Sequence, residues 1–278
     1  MALTADGRIF DLHVHTPASP DASVNPQQLV TAAELLGLWG LGLVVHVDFH
    51  PDDYCTGGPD VAAYLADARR ISELAGPSGI RVAAGLEIGE PHRFASSWEP
   101  VAAAEEWDFL TGALHWIGSR LVLEDSGYRS RDPMKVVEGY YMETLRILRR
   151  CDIDVLAHMG IFRRGLAMAG YPTDFDETRE WPALIDDVLG TMIEQGVALE
   201  VNTAGLRRKE RVTYPTGRVL ERYRQLGGEL VALASDTHRG ENAFFGIARG
   251  RDLLLDLGFR EACYFSGRTP RLYGLQTG

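Results

Sequence analysis

The sequence predicts an α/β fold of parallel strands closing into a barrel, and three observations carry that prediction. Short apolar runs recur along all 278 residues, segments with helical spacing lie between them, and polar side chains fall repeatedly at the far ends of the apolar runs. Strands that alternate with helices imply parallel pairing through right-handed crossovers, and about seven or eight such units close a barrel, whose usual length is about 250 residues. An open, doubly wound sheet is the alternative for the same alternation. No linker, composition shift or repeat marks a second domain, so residues 1–278 are expected to form one.

A strand over residues 8–12 delivers His13 and His15, and Asn25 as N-cap with Pro26 at the first helical position opens a helix over 26–38. A strand over 41–45 ends at His46, a helix spans 61–75, a strand over 81–86 ends at Glu87, and a strand over 108–113 runs toward His115. The helix over 134–150 precedes a strand over 153–157 that ends at His158. The helix over 184–194 precedes a strand over 197–201 that carries Glu200 and reaches Asn202. A helix over 217–226, stopped by Gly227-Gly228, leads to a strand over 230–234 ahead of Asp236 and His238. Gly258 closes a helix over 243–257 before a last strand over 262–266, and residues 171–181 read as an ordered loop.

Composition narrows the function. With 45% hydrophobic and 24% charged residues the chain has an ordinary globular makeup. Its 28 Lys and Arg against 39 Asp and Glu leave a net charge of -11, which disfavours stable nucleic-acid binding but leaves room for small anions where a few arginines converge. Residues 1–10 lack the basic segment and apolar run of a signal peptide. The longest apolar stretch, 35–45, is broken by three glycines and falls short of the roughly 18 residues of a bilayer span, so no membrane association is expected. Cys55, Cys151 and Cys263 are odd in number and far apart, which suits a reducing cytoplasm.

Parallel α/β folds build their active sites beyond the C-terminal ends of the strands, and six of the 8 histidines fall there: His13, His15, His46, His115, His158 and His238. Independent structural roles do not predict such an alignment. Residues two apart in extended backbone share a face, so His13 with His15, and Asp236 with His238, form converging pairs. Imidazoles mixed with carboxylates suit zinc, iron or manganese better than the oxygen cages of magnesium or calcium. His50, near Asp48, Asp52 and Asp53, reads as a supporting or surface residue.

As an ordered set, several segments resemble the motifs of the polymerase and histidinol phosphatase (PHP) superfamily, most closely its stand-alone histidinol-phosphatase branch. They are Asp11-Leu12-His13-Val14-His15-Thr16 with Ser19 and Asp21, Gly85-Leu86-Glu87-Ile88-Gly89-Glu90-Pro91-His92, Gly112-Ala113-Leu114-His115 and Asp154-Val155-Leu156-Ala157-His158. The segments Leu199-Glu200-Val201-Asn202-Thr203-Ala204-Gly205-Leu206-Arg207 and Ser235-Asp236-Thr237-His238 complete it. The resemblance implies a distorted (β/α)7 barrel with two or three divalent transition-metal ions, zinc, iron or manganese. By the same resemblance His13, His15, Glu87 and Asp236 hold one ion, Glu87 bridges to a second held by His115 and His158, and Asp21, His46 and His238 hold the third. The family's second motif usually has an acidic residue before its histidine, where this chain has Val45.

The implied substrate is a small phosphate monoester, with L-histidinol phosphate leading by resemblance, hydrolysed in line by metal-activated hydroxide that Glu87 and Asp236 help to hold. Arg163 and Arg164, after His158, and Arg207 and Arg208, after Asn202, are candidates for gripping the phosphate, one from each pair. His92 and Arg93 are placed to touch substrate from an adjoining loop, or His92 to orient Glu90. Two alternatives stand beside this reading. A phosphodiesterase or nuclease of the same superfamily, acting on nucleotides or short single strands, would want a basic channel or aromatic platform; a non-catalytic barrel would have lost ligands. Asp174-Phe175-Asp176-Glu177-Thr178 matches the Asp-x-Asp-x-Thr nucleophile loop of haloacid-dehalogenase-like phosphatases, but it follows a turn instead of a buried strand, which argues against that chemistry.

Overall fold

The computed structural model describes residues 9–276; Arg8, read as the start of the first strand, lies outside the described residues. Along the chain, β1 (Phe10–His15) leads to α1 (Pro26–Leu36), β2 (Gly40–Val44), β3 (His46–Val47), α2 (Val61–Ala75), β4 (Arg81–Gly89), α3 (Ala95–Ala103) and β5 (Phe109–Ala113). A small hairpin of β6 (Trp116–Ile117) and β7 (Arg120–Leu121) precedes α4 (Pro133–Arg150), β8 (Val155–Leu156), α5 (Phe162–Met168), α6 (Glu177–Glu180), α7 (Pro182–Gln195) and β9 (Ala198–Asn202). The last elements are α8 (Gly217–Gln225), β10 (Val231–Ala234), α9 (Ile247–Asp256) and an antiparallel hairpin of β11 (Glu261–Ser266) and β12 (Thr269–Gly274).

The strand order β1-β2-β4-β5-β8-β9-β10 is parallel throughout, and β3 pairs with the far end of β4. The two edges meet. Asp236 N donates to His13 O at 3.0 Å and His15 N to Thr237 O at 2.9 Å, so the segment after β10 pairs with β1 and a nearly closed seven-stranded barrel results. That closure excludes the open doubly wound sheet. β1 is buried at every position, as expected of parallel strands covered on both faces. Its register against β2 slips between Asp11 and Val14, an irregularity of the kind that re-aims side chains beside active sites.

The local signals for α1 work as expected: Asn25 accepts from Gln28 N at 3.2 Å, and Gly37 ends the helix at φ 65°. Helix α2 docks through Tyr64, whose hydroxyl lies 2.7 Å from Leu43 O and 2.9 Å from Gly85 O, spanning β2 and β4. The last expected strand forms but stays outside the barrel. As β11 it pairs only with β12, and this hairpin covers the end opposite the histidines, with Phe10 stacked on Tyr264 at 4.8 Å and Arg268 holding Asp154 at 2.9 Å.

Three helices lie beyond the expected set. α3 carries Pro100 in its interior, α5 has 7 residues and α6, inside the segment read as loop, has 4; such pieces are too short or interrupted to show a 3.6-residue period. α9 begins at Ile247 and not at 243, because Phe244 and Gly246 take φ of 58° and 77°. Among the described residues no helix is long and apolar enough to cross a membrane.

Two glycines give opposite expectations. A Cβ on Gly85 would sit 2.6 Å from Phe109 O, so Gly85→Ala should cost about 1–3 kcal/mol by overpacking. Gly139, within α4, has open space around that position, so Gly139→Ala should gain about 0.5–1 kcal/mol of stability. Urea unfolding of both variants beside the parent checks the pair.

Candidate metal centre

The C-terminal ends of the strands converge on Glu87, which β4 carries into the barrel mouth at 1% exposure. Its two oxygens serve different neighbours. Oε2 lies 3.3 Å from His13 Nε2, 3.3 Å from His15 Nε2 and 3.2 Å from His46 Nδ1. Oε1 lies 2.9 Å from His158 Nε2 and 3.5 Å from His115 Nε2. On the far side of the first set, Asp236 Oδ1 stands 3.8 Å from His13 Nε2 and 3.7 Å from His15 Nε2. Asp21 bridges the remaining pair, Oδ1 to His46 Nε2 at 3.4 Å and Oδ2 to His238 Nε2 at 3.1 Å. The nine side chains singled out from the sequence as ligands therefore lie in one cluster; eight of them fall into three groups that can each hold a cation, His13, His15 and Glu87; Glu87, His115 and His158; and His15, Asp21, His46 and His238, while Asp236 flanks the first group.

The donor arrangement fits cations better than hydrogen bonds among the residues themselves. Glu200 Oε2 lies 2.8 Å from His13 Nδ1, so that a neutral His13 ring, with its proton on Nδ1, turns its Nε2 lone pair inward. That lone pair faces His15 Nε2 at 3.1 Å and the buried, hydrogen-bond-free Oε2 of Glu87. His115 Nε2 and His158 Nε2 oppose each other likewise at 3.4 Å. When the rings are neutral, lone pairs gathered this way repel unless a proton or a metal cation lies between them.

A surrounding shell fixes the candidate ligands, as a metal site would require. Ser19 Oγ holds His15 Nδ1 at 2.9 Å, and Glu200 Oε1 accepts from His158 N at 3.0 Å and Asn202 Nδ2 at 2.8 Å. Glu90 accepts from the backbone N–H of His115 at 2.6 Å and of Trp116 at 2.9 Å. Asp11 accepts from Ser235 N at 2.9 Å. His158 and Asp236 adopt φ of 28° and 56°, a conformation that costs about 1–3 kcal/mol per residue and persists only where neighbours enforce it. The sequence marked Glu200 and Asn202 as strand-end polar residues without a role, and it missed Asp48, whose Oδ2 lies 3.1 Å from His46 Nδ1. The spacing of His46 and Asp48, identical to that of His13 and His15, was the available signal.

The charges sustain one another against burial. Burial pulls the His13 pKa down, but Glu200 and Glu87 lift it well above the usual imidazole range. Burial pushes Glu87 up, yet His13 and His46 hold it well below the carboxylate range; Asp236 is held low in the same manner by His238. His15 goes the other way, to about 3, under burial and the nearby His238 and His46.

Above the cluster opens a cavity of about 770 Å³, with Arg164, Arg120 and Tyr54 among its lining residues. The substrate candidates separate here. Arg164 reaches the cavity, and burial together with the charge of Arg208 lowers its pKa. Arg163 does not: it is buried beneath α5, bonded to Glu177 at 2.5 Å and to Thr173 O at 3.1 Å, with Phe175 under its guanidinium. Arg207 is spent on the carbonyls of Ser235 at 3.2 Å and Asp236 at 3.1 Å, behind the ligands. His92 neither lines the cavity above the cluster nor reaches Glu90: Glu143 of α4 holds its Nε2 at 2.5 Å and shares a separate hollow with Arg93. His50 stacks on Trp116 and meets Gly118 O at 2.8 Å, a supporting role. Asp176 caps α6 by accepting from Thr178 N at 3.1 Å, and Asp174 pairs with Arg218 at 3.3 Å, so the Asp-x-Asp-x-Thr segment is loop scaffolding.

The model of the PHP domain family matches residues 11–204, the greater part of the chain. The chain is 28% identical over 234 residues to a protein described as a probable histidinol-phosphatase from Clostridium acetobutylicum, covering 83% of this chain and 86% of that protein. It is 25% identical over 262 residues to a histidinol-phosphatase from Lactococcus lactis, covering 93% and 94% respectively. Among solved structures, it superposes on a histidinol phosphate phosphatase from Lactococcus lactis, complexed with zinc, L-histidinol and phosphate, at a TM-score of 0.82, with 21% identity over 95% of this chain and 98% of the other.

Glu90 offers a test of the shell. Burial pushes its pKa from 4.5 to about 7, against the opposing pull of His115. A folded-state value above the unfolded one gives stability that is complete below pH 4.5 and is lost as pH rises through 7. Glu90→Gln cannot ionise, so its stability relative to wild type should improve by about 3 kcal/mol from pH 4.5 to 7 in chelator-treated protein. Urea unfolding across that range checks this, and parallel profiles would contradict it.

Proposed function

The chain belongs to the PHP domain family and is related to histidinol-phosphatases, and from that premise we propose that it hydrolyses a small phosphate monoester, L-histidinol phosphate, to the alcohol and inorganic phosphate. One observation carries the reading: a single buried carboxylate, Glu87, turns one oxygen to each of two imidazole sets on the floor of a cavity walled by an arginine. The zinc, L-histidinol and phosphate bound by the Lactococcus lactis protein support the choice of metal and substrate.

On this proposal His13, His15, Glu87 and Asp236 hold one ion, Glu87, His115 and His158 a second, and Asp21, His46 and His238 a third, with zinc, iron or manganese as occupants. When bound, such ions supply a nucleophile from water near neutral pH and offset charge on the phosphoryl group. Arg164 grips the phosphate oxygens from the cavity wall, and Arg208 adds a second positive charge beside it. Asp236, whose Oδ1 lies 3.2 Å from His238 Nδ1 and faces His13 and His15, would help with Glu87 to hold the attacking hydroxide in place. Glu200 keeps His13 and the backbone of His158 in place. The net charge of -11 works against a long polyanionic strand reaching this mouth, and the three free cysteines accord with work in the cytoplasm.

Metal-replete protein offered L-histidinol phosphate, other monoesters, nucleotide diesters and short single strands should turn over L-histidinol phosphate fastest; turnover of diesters alone would overturn the reading. Arg164→Ala should lower kcat/KM by about 10- to 100-fold, the equivalent of a charged hydrogen bond, with metal content unchanged. His115→Ala should lose bound metal and activity together while keeping its far-ultraviolet circular dichroism. Full activity and metal in that variant would remove His115 from the ligand set.

A further inference from the structure

One buried acid in the mouth has no part in the proposed reaction. Asp48 follows β3, is 1% exposed, and lies between two histidines assigned above to different ions. Its Oδ2 stands 3.1 Å from His46 Nδ1 and its Oδ1 3.8 Å from His115 Nδ1. The opposite nitrogens point apart: His46 Nε2 toward Asp21 at 3.4 Å, and His115 Nε2 toward His158 Nε2 at 3.4 Å and Glu87 Oε1 at 3.5 Å. Asp48 Oδ1 and His46 Nδ1 are both buried without a hydrogen-bond partner among protein atoms. Burying a carboxylate costs several kcal/mol unless it is matched, so packing alone gives no reason for an acid at this position.

The fold makes room for this carboxylate. β3 pairs with β4 as His46 with Glu87 and Val47 with Ile88, and the same register brings Asp48 beside Gly89. A Cβ on Gly89 would lie 1.9 Å from Asp48 Oδ1 and 3.7 Å from His115 Nδ1. The absence of a side chain at residue 89 is what lets one carboxylate sit against both rings. Gly57 N donates to Asp48 O at 3.0 Å and pins the backbone from the other side.

We propose that Asp48 is a shared positioning residue, one carboxylate acting on the Nδ1 atoms of two imidazoles and thereby coupling the second and third metal groups. A carboxylate 3.1 Å from Nδ1 of His46 favours the proton there, orients the ring and leaves the Nε2 lone pair for a cation, and at 3.8 Å from His115 Nδ1 it acts on that ring through its charge. This chain lacks an acid immediately before His46, where Val45 stands, and Asp48 brings a carboxylate to the same ring from two residues downstream. The inference rests on the metal reading above.

The test titrates chelator-treated wild type, Asp48→Asn, Asp48→Ala and Gly89→Ala with Co²⁺ against a coloured chelator, following the d–d absorption of bound Co²⁺, and records the melting temperature of each metal-free protein. Asp48→Ala should weaken two Co²⁺ ions together by about 10- to 100-fold, the usual loss when an outer-shell partner of a ligating histidine is removed, with altered d–d bands. Asp48→Asn, which keeps one acceptor oxygen and the same shape, should retain more affinity than Asp48→Ala. Gly89→Ala, which displaces the carboxylate without changing its chemistry, should weaken the same two ions. Wild-type affinity and spectra in both Asp48 variants would overturn the proposal alone, as would weakened binding matched by an equal fall in metal-free melting temperature, the mark of a merely structural role. Wild-type protein that binds no Co²⁺ would defeat the metal reading and this inference with it.

Discussion

A carboxylate taken fully out of water is tolerable only when positive charge or strong donors surround it, and the mouth of this barrel is organised around that constraint at Glu87. Five imidazoles from the ends of four other strands face its two oxygens. They arrive there because the sheet closes. Without the pairing of the segment after β10 with β1, Asp236 and His238 would stand at one edge of an open sheet and His13 and His15 at the other. The apolar layers between barrel and helices supply the stability that lets a mouth of like donors and positive-φ residues persist, and the outer acids Glu200, Glu90 and Asp11 hold the backbone at His158, His115 and Ser235 from behind.

The adjacent arginines 163 and 164 show how narrowly the fold assigns roles. Both sit on α5, where consecutive side chains point about 100° apart. One is swallowed by Glu177 and two aromatic rings, and the other faces the cavity. The buried pair ties α5 to the loop that leads into α6, so the residue that never meets the cavity determines how its neighbour enters it. Arg207 plays a comparable part for Asp236, clasping the carbonyl of the residue whose carboxylate faces His13 and His15.

Most of the fold and the cluster could be read before any coordinates, for a physical reason. Strand-end ligands are specified by residue type and by position within each β–α unit, both local properties, so His13, His15, His46, Glu87, His115, His158, Asp236 and His238 stood out without tertiary information. Asp21, by contrast, rested on family resemblance. What stayed hidden depends on long-range partners. His92 is turned by Glu143, 51 residues away, and Arg163 by Glu177, 14 away. The last strand was legible as a strand, but its departure from the barrel depends on a partner, β12, whose residues are mostly exposed and lack an apolar signature. Asp48 escaped notice because it lies past the end of β3, next to a glycine whose meaning appears only in register with it.

Cations gathered about one carboxylate are what this barrel mouth is built to hold. Anomalous diffraction at the zinc, iron and manganese edges, from crystals of active protein purified without chelators, tests this most directly. At least two peaks are expected, one beside His13 and His15 and one beside His115 and His158, with Glu87 between them. An active protein whose crystals show no anomalous peak within ligand distance of Glu87 would contradict it.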